Sequence, residues 1–440
     1  MYHSTSPDDS TALGRRQFLR LGLASGAALL ASRFTFAAAG SAPGDDARLV
    51  FIILRGALDG LAAVPPYGDP QYAALRAQIA LAAPGSAGGA LALDNVFGLN
   101  PGLSFLHEAY GQREALVFHA VATPYRERSH FDGQDVLETG LPQPHASASG
   151  WLNRALLGLP VANIRGPERA VALGPEVPLL LRGPAPIASW APSRLPAVDD
   201  DTLQRIADRY ASDPLLAQRL AAALATDAIA AQSASATPGP DMSASMGPGR
   251  RDAQPISAPA NAAASARAAA GRYLETVRTA AQFIARADGP RIAVFDTIGW
   301  DTHFNEGGAN GQLTVRLRAL DAALATLKQS LGPVWARTAV LMATEFGRTV
   351  ATNGTAGTDH GTGAAAFLLG GAVNGGRVVA DWPGLSAGAL YQGRDLRPTL
   401  DLRSVLKSVL HDHLHISIRA LDSAVFPHSH APYLPDLLRA

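Results

Sequence analysis

The chain has 440 residues and balances 37 basic against 37 acidic side chains, so it offers no global basic footprint for nucleic acid. It contains no cysteine, which excludes disulfides, thiolate zinc sites and cysteine nucleophiles; any metal must be held by Asp, Glu, His, carbonyls or water. At 47% hydrophobic and 17% charged residues it can build a sizeable core, as one large α/β domain or two or three smaller ones.

The N-terminal stretch GRRQFLRLGLASGAALLASRFTFAAAG pairs Arg15 with Arg16, continues through Phe18-Leu19 and an Ala/Leu/Gly run, and ends in small residues suited to cleavage around Ala37 to Ala39. Over residues 1–39 it resembles a twin-arginine (Tat) export signal, with Gly14 where such signals often carry Ser or Thr. The run is short and weakly apolar for a membrane anchor, and no later segment holds about 18 consecutive apolar residues. The expectation is a soluble mature protein, carried by the Tat translocase to the periplasm or outside the cell, with no stable membrane span.

Four buried strands follow. Leu49–Leu54 is a continuous apolar run, and Ala115–Ala122, Arg291–Asp296 and Thr338–Ala343 repeat the pattern. Between the last two, Leu313, Leu317, Leu320, Leu324, Leu327 and Leu331 recur every three or four residues and predict an amphipathic helix. Strand, helix and strand in that order imply a βαβ unit and a mainly parallel sheet sandwiched by helices. Residues 48–430 read as a single α/β domain. Residues 151–230 read as a cap-like insertion with two helices. Residues 232–262 are rich in Ala, Ser, Pro and Gly and read as a flexible surface insertion. Helices are expected over about 263–287 and from about Asp401.

Each strand leads into a polar cluster. The first carries Arg55 and Asp59-Gly60, and the second Arg126, Arg128, Ser129, His130, Asp132 and Asp135. The third carries Trp300, Asp301, His303 and Asn305, and the fourth Glu345, Arg348 and Asn353 before Asp359-His360. Ligands of open α/β sheets bind outside the carboxyl ends of the strands, so four clusters in register suggest one shared site. Mixed carboxylate and imidazole donors suit zinc, manganese or iron, and magnesium or calcium where oxygen donors dominate. Two ions about 4 Å apart would clamp the attacking and leaving oxygens of a displacement. Arg55, Arg126, Arg128 or Arg348 would hold a phosphate or sulfate by forked hydrogen bonds. Ser129 is a candidate nucleophile.

Each cluster also has a structural reading. Asp59-Gly60 suits a turn, Ser129 with Asp132 suits a helix cap, and Glu345 with Arg348 suits a salt bridge. His411, His413 and His415 alternate without sharing a helix face and read as surface or incidental metal-binding groups, as do His428 and His430.

RGALDG, SHFDGQD, GWDTH, EFGRT and GTDHG, in this order behind a Tat-like signal, closely resemble the bacterial domain of unknown function 1501 family, from about Arg48 to about Leu414. That family resembles a distant branch of the alkaline phosphatase-like, or sulfatase-like, superfamily. The resemblance implies that Asp59, Asp359 and His360 are metal ligands, with Asp301 and His303 a second group, for one or two divalent ions, zinc or manganese first. With the residues above, the expectation is a metal-dependent hydrolase of a small anionic phosphate or sulfate ester, in which Ser129 or a metal-bound hydroxide attacks, His130 is acid/base or ligand, and Arg55 or Arg128 steadies the anion. The serine-type sulfatase pattern, Ser with Pro two and Arg four positions on, is absent, and the Ser129–His130 spacing differs from that of cofactor-independent phosphoglycerate mutases. The alternative is a noncatalytic periplasmic binding or assembly protein that retains the fold and its metal.

Overall fold

A computed structural model describes residues 46–160, 168–192, 200–235 and 258–439. The expected signal over 1–39 and the centre of the expected flexible insertion, 236–257, lie outside the described residues. The ends of that insertion are helical: one helix runs Pro214–Ser235 and the next Ala258–Ala285.

The strands are β1 (Arg48–Arg55), β2 (Leu91–Ala92), β3 (Gly98–Leu99), β4 (Ala115–Ala122), β5 (Ala170–Leu173), β6 (Ala188–Trp190), β7 (Ile292–Ile298), β8 (Thr338–Ala343), β9 (Ala364–Leu369), β10 (Arg377–Val379) and β11 (Leu400–Asp401). β2 and β3 form a small antiparallel ribbon. The rest make one sheet in the order β10-β4-β9-β8-β1-β7-β5-β6, with β11 also on β4. Pairings are parallel except at β9, which runs antiparallel to both β4 and β8. β4, β8, β1 and β7 therefore point the same way, and the β8–β9 connection turns back at the end where those strands finish.

The sheet is buried on both faces, which is why its strands read as unbroken apolar runs rather than alternating ones. Val50, Ile52 and Leu54 of β1 pack into the core that takes the leucines of the helix Gln312–Leu331. Leu49, Phe51 and Ile53 face the other way, against Trp151 and the helix Leu402–Asp412. Phe51 meets Trp151 edge to face at 5.4 Å. The stretch expected as a cap contributes β5 and β6 to the sheet, where β5 pairs parallel with β7. Its apolar segments Ala170–Leu173 and Ala188–Trp190 extend the sheet because β7 offers them a free edge.

Two histidines belong to the core. His119 on β4 accepts from the Ala120 N–H at Nδ1 (2.8 Å), so its Nε2 carries the proton and donates to the Val64 carbonyl (2.9 Å). His413, expected at the surface, is buried, with Nε2 2.7 Å from the Arg48 carbonyl. Burial pushes both imidazoles from 6.5 down to about 4. Above pH 6.5 folded and unfolded chains are both neutral at these rings. Below it the unfolded chain takes up protons that the folded chain refuses, so stability falls as pH drops from 6.5 towards 4. Each ring contributes about 3 kcal/mol to that loss, at roughly 1.4 kcal/mol per pH unit. Urea unfolding of the wild type between pH 7 and 4.5 should show this decline, and His413→Gln should flatten it. An identical pH slope in the variant would contradict the assignment.

Candidate metal centre

Four loops meet where β1, β4, β7 and β8 end, and Arg348 joins three of them. Its guanidinium is 1% exposed and donates to the carbonyls of Ala57 (2.8 Å), Gly56 (2.8 Å), Trp300 (3.3 Å) and Thr358 (3.0 Å), and to Asp301 Oδ1. It thus ties the loop after β1, the loop after β7 and the DHG segment together. Gly56 lets the first two touch: its φ is +118°, and a Cβ there would lie 2.7 Å from the Asp301 nitrogen. Arg348 forms no salt bridge with Glu345, contrary to the pairing read from the sequence, because its charge is spent on Asp301.

His130, Asp301 and His360 each offer a donor atom, with all three within 4.8 Å of one another. His130 Nε2 lies 3.6 Å from Asp301 Oδ2, and His360 Nε2 3.3 Å from Asp301 Oδ1. His303 joins them, its Nε2 3.0 Å from Asp301 Oδ1 and 2.9 Å from His360 Nε2.

The outer nitrogens fix two of the tautomers. His130 Nδ1 faces Glu345 Oε1 at 2.8 Å, His360 Nδ1 faces the Arg128 carbonyl at 3.0 Å, and His303 Nδ1 faces Asp359 Oδ1 at 3.4 Å. Glu345 and the Arg128 carbonyl only accept, so Nδ1 of His130 and of His360 carries a proton there, while His303 faces a carboxylate at both nitrogens, Asp359 at Nδ1 and Asp301 at Nε2. The Nε2 atoms of His303 and His360 lie 2.9 Å apart, a separation that suits a shared proton or a shared cation. His130 Nε2 is moreover buried without a hydrogen-bond partner. An imidazole held by a carboxylate or carbonyl on its far side is the usual arrangement of a metal-ligating histidine. His130, Asp301 and His360 therefore fit the ligand set of a metal ion, with His303 beside them.

The hydrogen bond to Glu345 raises the His130 imidazole above its ordinary value, so a proton and a metal ion compete for its Nε2. Burial, reinforced by His130, lowers His360 and keeps it neutral. Burial works to raise the Asp301 carboxyl, but Arg348 outweighs it and holds the group ionised. Glu345 behaves alike: bonds from His130, Gln134 and the Gly56 N–H overcome its burial.

The structure gathers His130, Asp301, His303 and His360, and sets Asp359 behind His303, where it also accepts from Asn353 Nδ2 at 3.1 Å. Asp59 lies elsewhere. It caps the short helix Gly60–Ala63, accepting from the Leu61 and Ala62 N–H groups, and its other oxygen pairs with buried Arg76. Ser129 is at the N-cap of the helix His130–Thr139, but its hydroxyl makes no capping bond, so the cap suggested by Ser129 and Asp132 does not form.

The expected anion-holding arginines are engaged. Arg55 binds Asp296, Gln134 (2.9 Å) and Glu138 (2.7 Å), and Arg126 binds the Thr123 and Tyr125 carbonyls. Arg128 binds Asp395 (2.9 Å) and Gln392 (2.6 Å), its backbone at φ +64°, a strained value that turns up at functional sites. Sequence reading had Glu345 in the polar cluster after β8 but matched it to Arg348 rather than His130, and it missed Arg394, which donates to the His360 carbonyl at 2.7 Å, follows no strand and carried no signal.

The family model for a protein of unknown function, DUF1501, matches residues 109–424. No curated protein matches the sequence. Among solved structures, the chain is similar to Ps i-CgsB in complex with k-i-k-neocarrahexaose, at 9% identity and a TM-score of 0.36, over 86% of this chain and 75% of that one. It is also similar to the phosphonate monoester hydrolase of Agrobacterium radiobacter, at 10% identity and a TM-score of 0.35, over 84% and 74% respectively.

Replacing Arg348 by Met should cost at least about 3 kcal/mol in urea unfolding, mainly because buried carbonyls lose their donor. Asp301, 43% exposed at its side chain, adds less. Arg348→Lys should not restore the loss, since one ammonium cannot reproduce the guanidinium fork. A loss under about 1 kcal/mol in Arg348→Met would show that the loops hold without it.

Proposed function

The chain belongs to the DUF1501 family, and we propose that it is an exported, metal-dependent hydrolase of a phosphate or sulfate ester. The observation that carries the reading is His130: Glu345 holds its Nδ1, while its Nε2 is buried, unpartnered and aimed at Asp301. His130, Asp301, His303 and His360 would hold the ion, with Glu345, Asp359 and the Arg128 carbonyl orienting the rings. The nitrogen-rich donor set suits zinc or manganese ahead of magnesium or calcium. A bound ion would supply Lewis acidity to the ester oxygens.

The chain supplies the rest. The helix His130–Thr139 begins beside the cluster, and its first N–H groups and positive dipole end favour an anion there. The Ser129 hydroxyl, not spent on capping, stands at that helix start as the candidate nucleophile. Arg55 and Arg128 would act on the anion indirectly, through the residues they fix. Export rests on the Arg15-Arg16 signal, so the Tat translocase is the proposed transient partner. No helix among the described residues is long and apolar enough to cross a membrane.

One observation favours the noncatalytic alternative: all four arginines expected to grip the ester are bound to protein groups. Metal analysis of the purified mature chain, followed by an ester panel, separates the readings. The hydrolase reading expects about one zinc or manganese per chain, lost in Asp301→Ala, and ester hydrolysis that falls at least about 100-fold in Ser129→Ala. A metal-loaded chain that hydrolyses no phosphate or sulfate ester would support the binding protein. A chain that takes up neither metal would contradict the centre itself.

A further inference from the structure

We propose that Glu306 is a positioning residue for the candidate metal centre, its buried carboxyl tying the loop of His303 to the loop of His360. The role in metal binding rests on the function proposed above; the tie itself rests on contacts that need no metal.

Glu306 is fully buried. Its Oε2 accepts from the Thr302 hydroxyl at 3.0 Å and the Thr358 hydroxyl at 2.8 Å. Thr302 sits between Asp301 and His303, and Thr358 two residues before His360. Both threonines are buried, and the Thr358 N–H donates to the Thr302 carbonyl at 3.1 Å. One oxygen thus joins the two segments whose histidines approach to 2.9 Å. The same loops are laced further out, where Asn353 Nδ2 and Thr355 Oγ1 both donate to the His303 carbonyl, at 2.7 and 2.8 Å.

The other end of Glu306 explains how a carboxyl is kept there. Its Oε1 lies 3.4 Å from the Arg76 guanidinium, which also pairs with Asp59. Two buried carboxylates on one guanidinium would leave an excess negative charge, which is costly out of water. Burial, then the Asp59 charge, pushes Glu306 up to about 8, so Asp59 takes the charge and Glu306 stays neutral at pH 7. Glutamine matches that neutral group in shape and keeps an oxygen for the two threonines.

The test compares Glu306→Ala with Glu306→Gln in the full chain at pH 7, by zinc competition titration against a chelator and by imidazole ¹H–¹⁵N spectra of the metal-free protein. Glu306→Ala should weaken zinc binding about 10- to 100-fold, and Glu306→Gln should stay within about threefold of wild type. In the metal-free spectra of Glu306→Ala, the His303 and His360 signals should move while His130, anchored by Glu345, keeps its position. Unchanged zinc affinity in Glu306→Ala, or an equal loss in Glu306→Gln, would overturn the proposal. If the wild type binds no zinc, the metal reading fails, and unmoved His303 and His360 signals would then overturn the tie as well. If Glu306→Ala does not fold, Thr358→Val removes one arm of the tie alone and should shift His360; an unshifted ring overturns the proposal.

Discussion

A single buried cation sets the geometry of this site. Arg348 places one guanidinium among carbonyls from three loops and the Asp301 carboxylate. Burying a guanidinium is tolerable only when its donors are satisfied, so the loops must come to it. Asp301 is therefore ionised and aimed before any ligand arrives. The sheet makes this economical: β1, β7 and β8 end side by side, and the reversal of β9 returns the DHG segment to the same end.

On that frame the imidazoles are sorted by what lies behind them. Glu345, the Arg128 carbonyl and Asp359 each face an Nδ1, leaving three Nε2 atoms turned inward around the Asp301 carboxylate, an arrangement suited to a cation. The nearby Asp59–Arg76–Glu306 group is the opposite case: its cation is covalent, its charges are balanced by a proton, and it has no need of an ion. Two acidic clusters at one end of the sheet thus take different roles, one suited to a metal and the other structural.

Much of the frame was legible in the sequence. Ala115–Ala122 and Thr338–Ala343 match their strands end to end, because a strand buried on both faces must be apolar throughout. The leucine period of Gln312–Leu331 gave its helix for a similar reason. Strand direction was not legible: AAAFLL in β9 is as apolar as its parallel neighbours, and nothing in it encodes the reversal. Within 151–230, expected as a cap-like insertion with two helices, the short segments β5 and β6 join the sheet.

Within the site, residue types could be read but partners could not. Asp301 and Asp59 both follow a strand, yet Asp59 is claimed by Arg76, 17 positions away in a different helix. Asp359 and His360 are neighbours in sequence but point to different layers, one orienting His303 and the other facing Asp301. Four arginines looked available for an anion because local sequence does not show which carboxylates and carbonyls the fold brings to them.

The most direct measurement is a crystal structure of the zinc-soaked protein with anomalous diffraction recorded at the zinc edge. The account predicts one peak per chain, about 2.0–2.2 Å from the Nε2 atoms of His130, His303 and His360 and from an Asp301 oxygen. A peak bound instead by Asp59, or no peak at the three histidines, would contradict it.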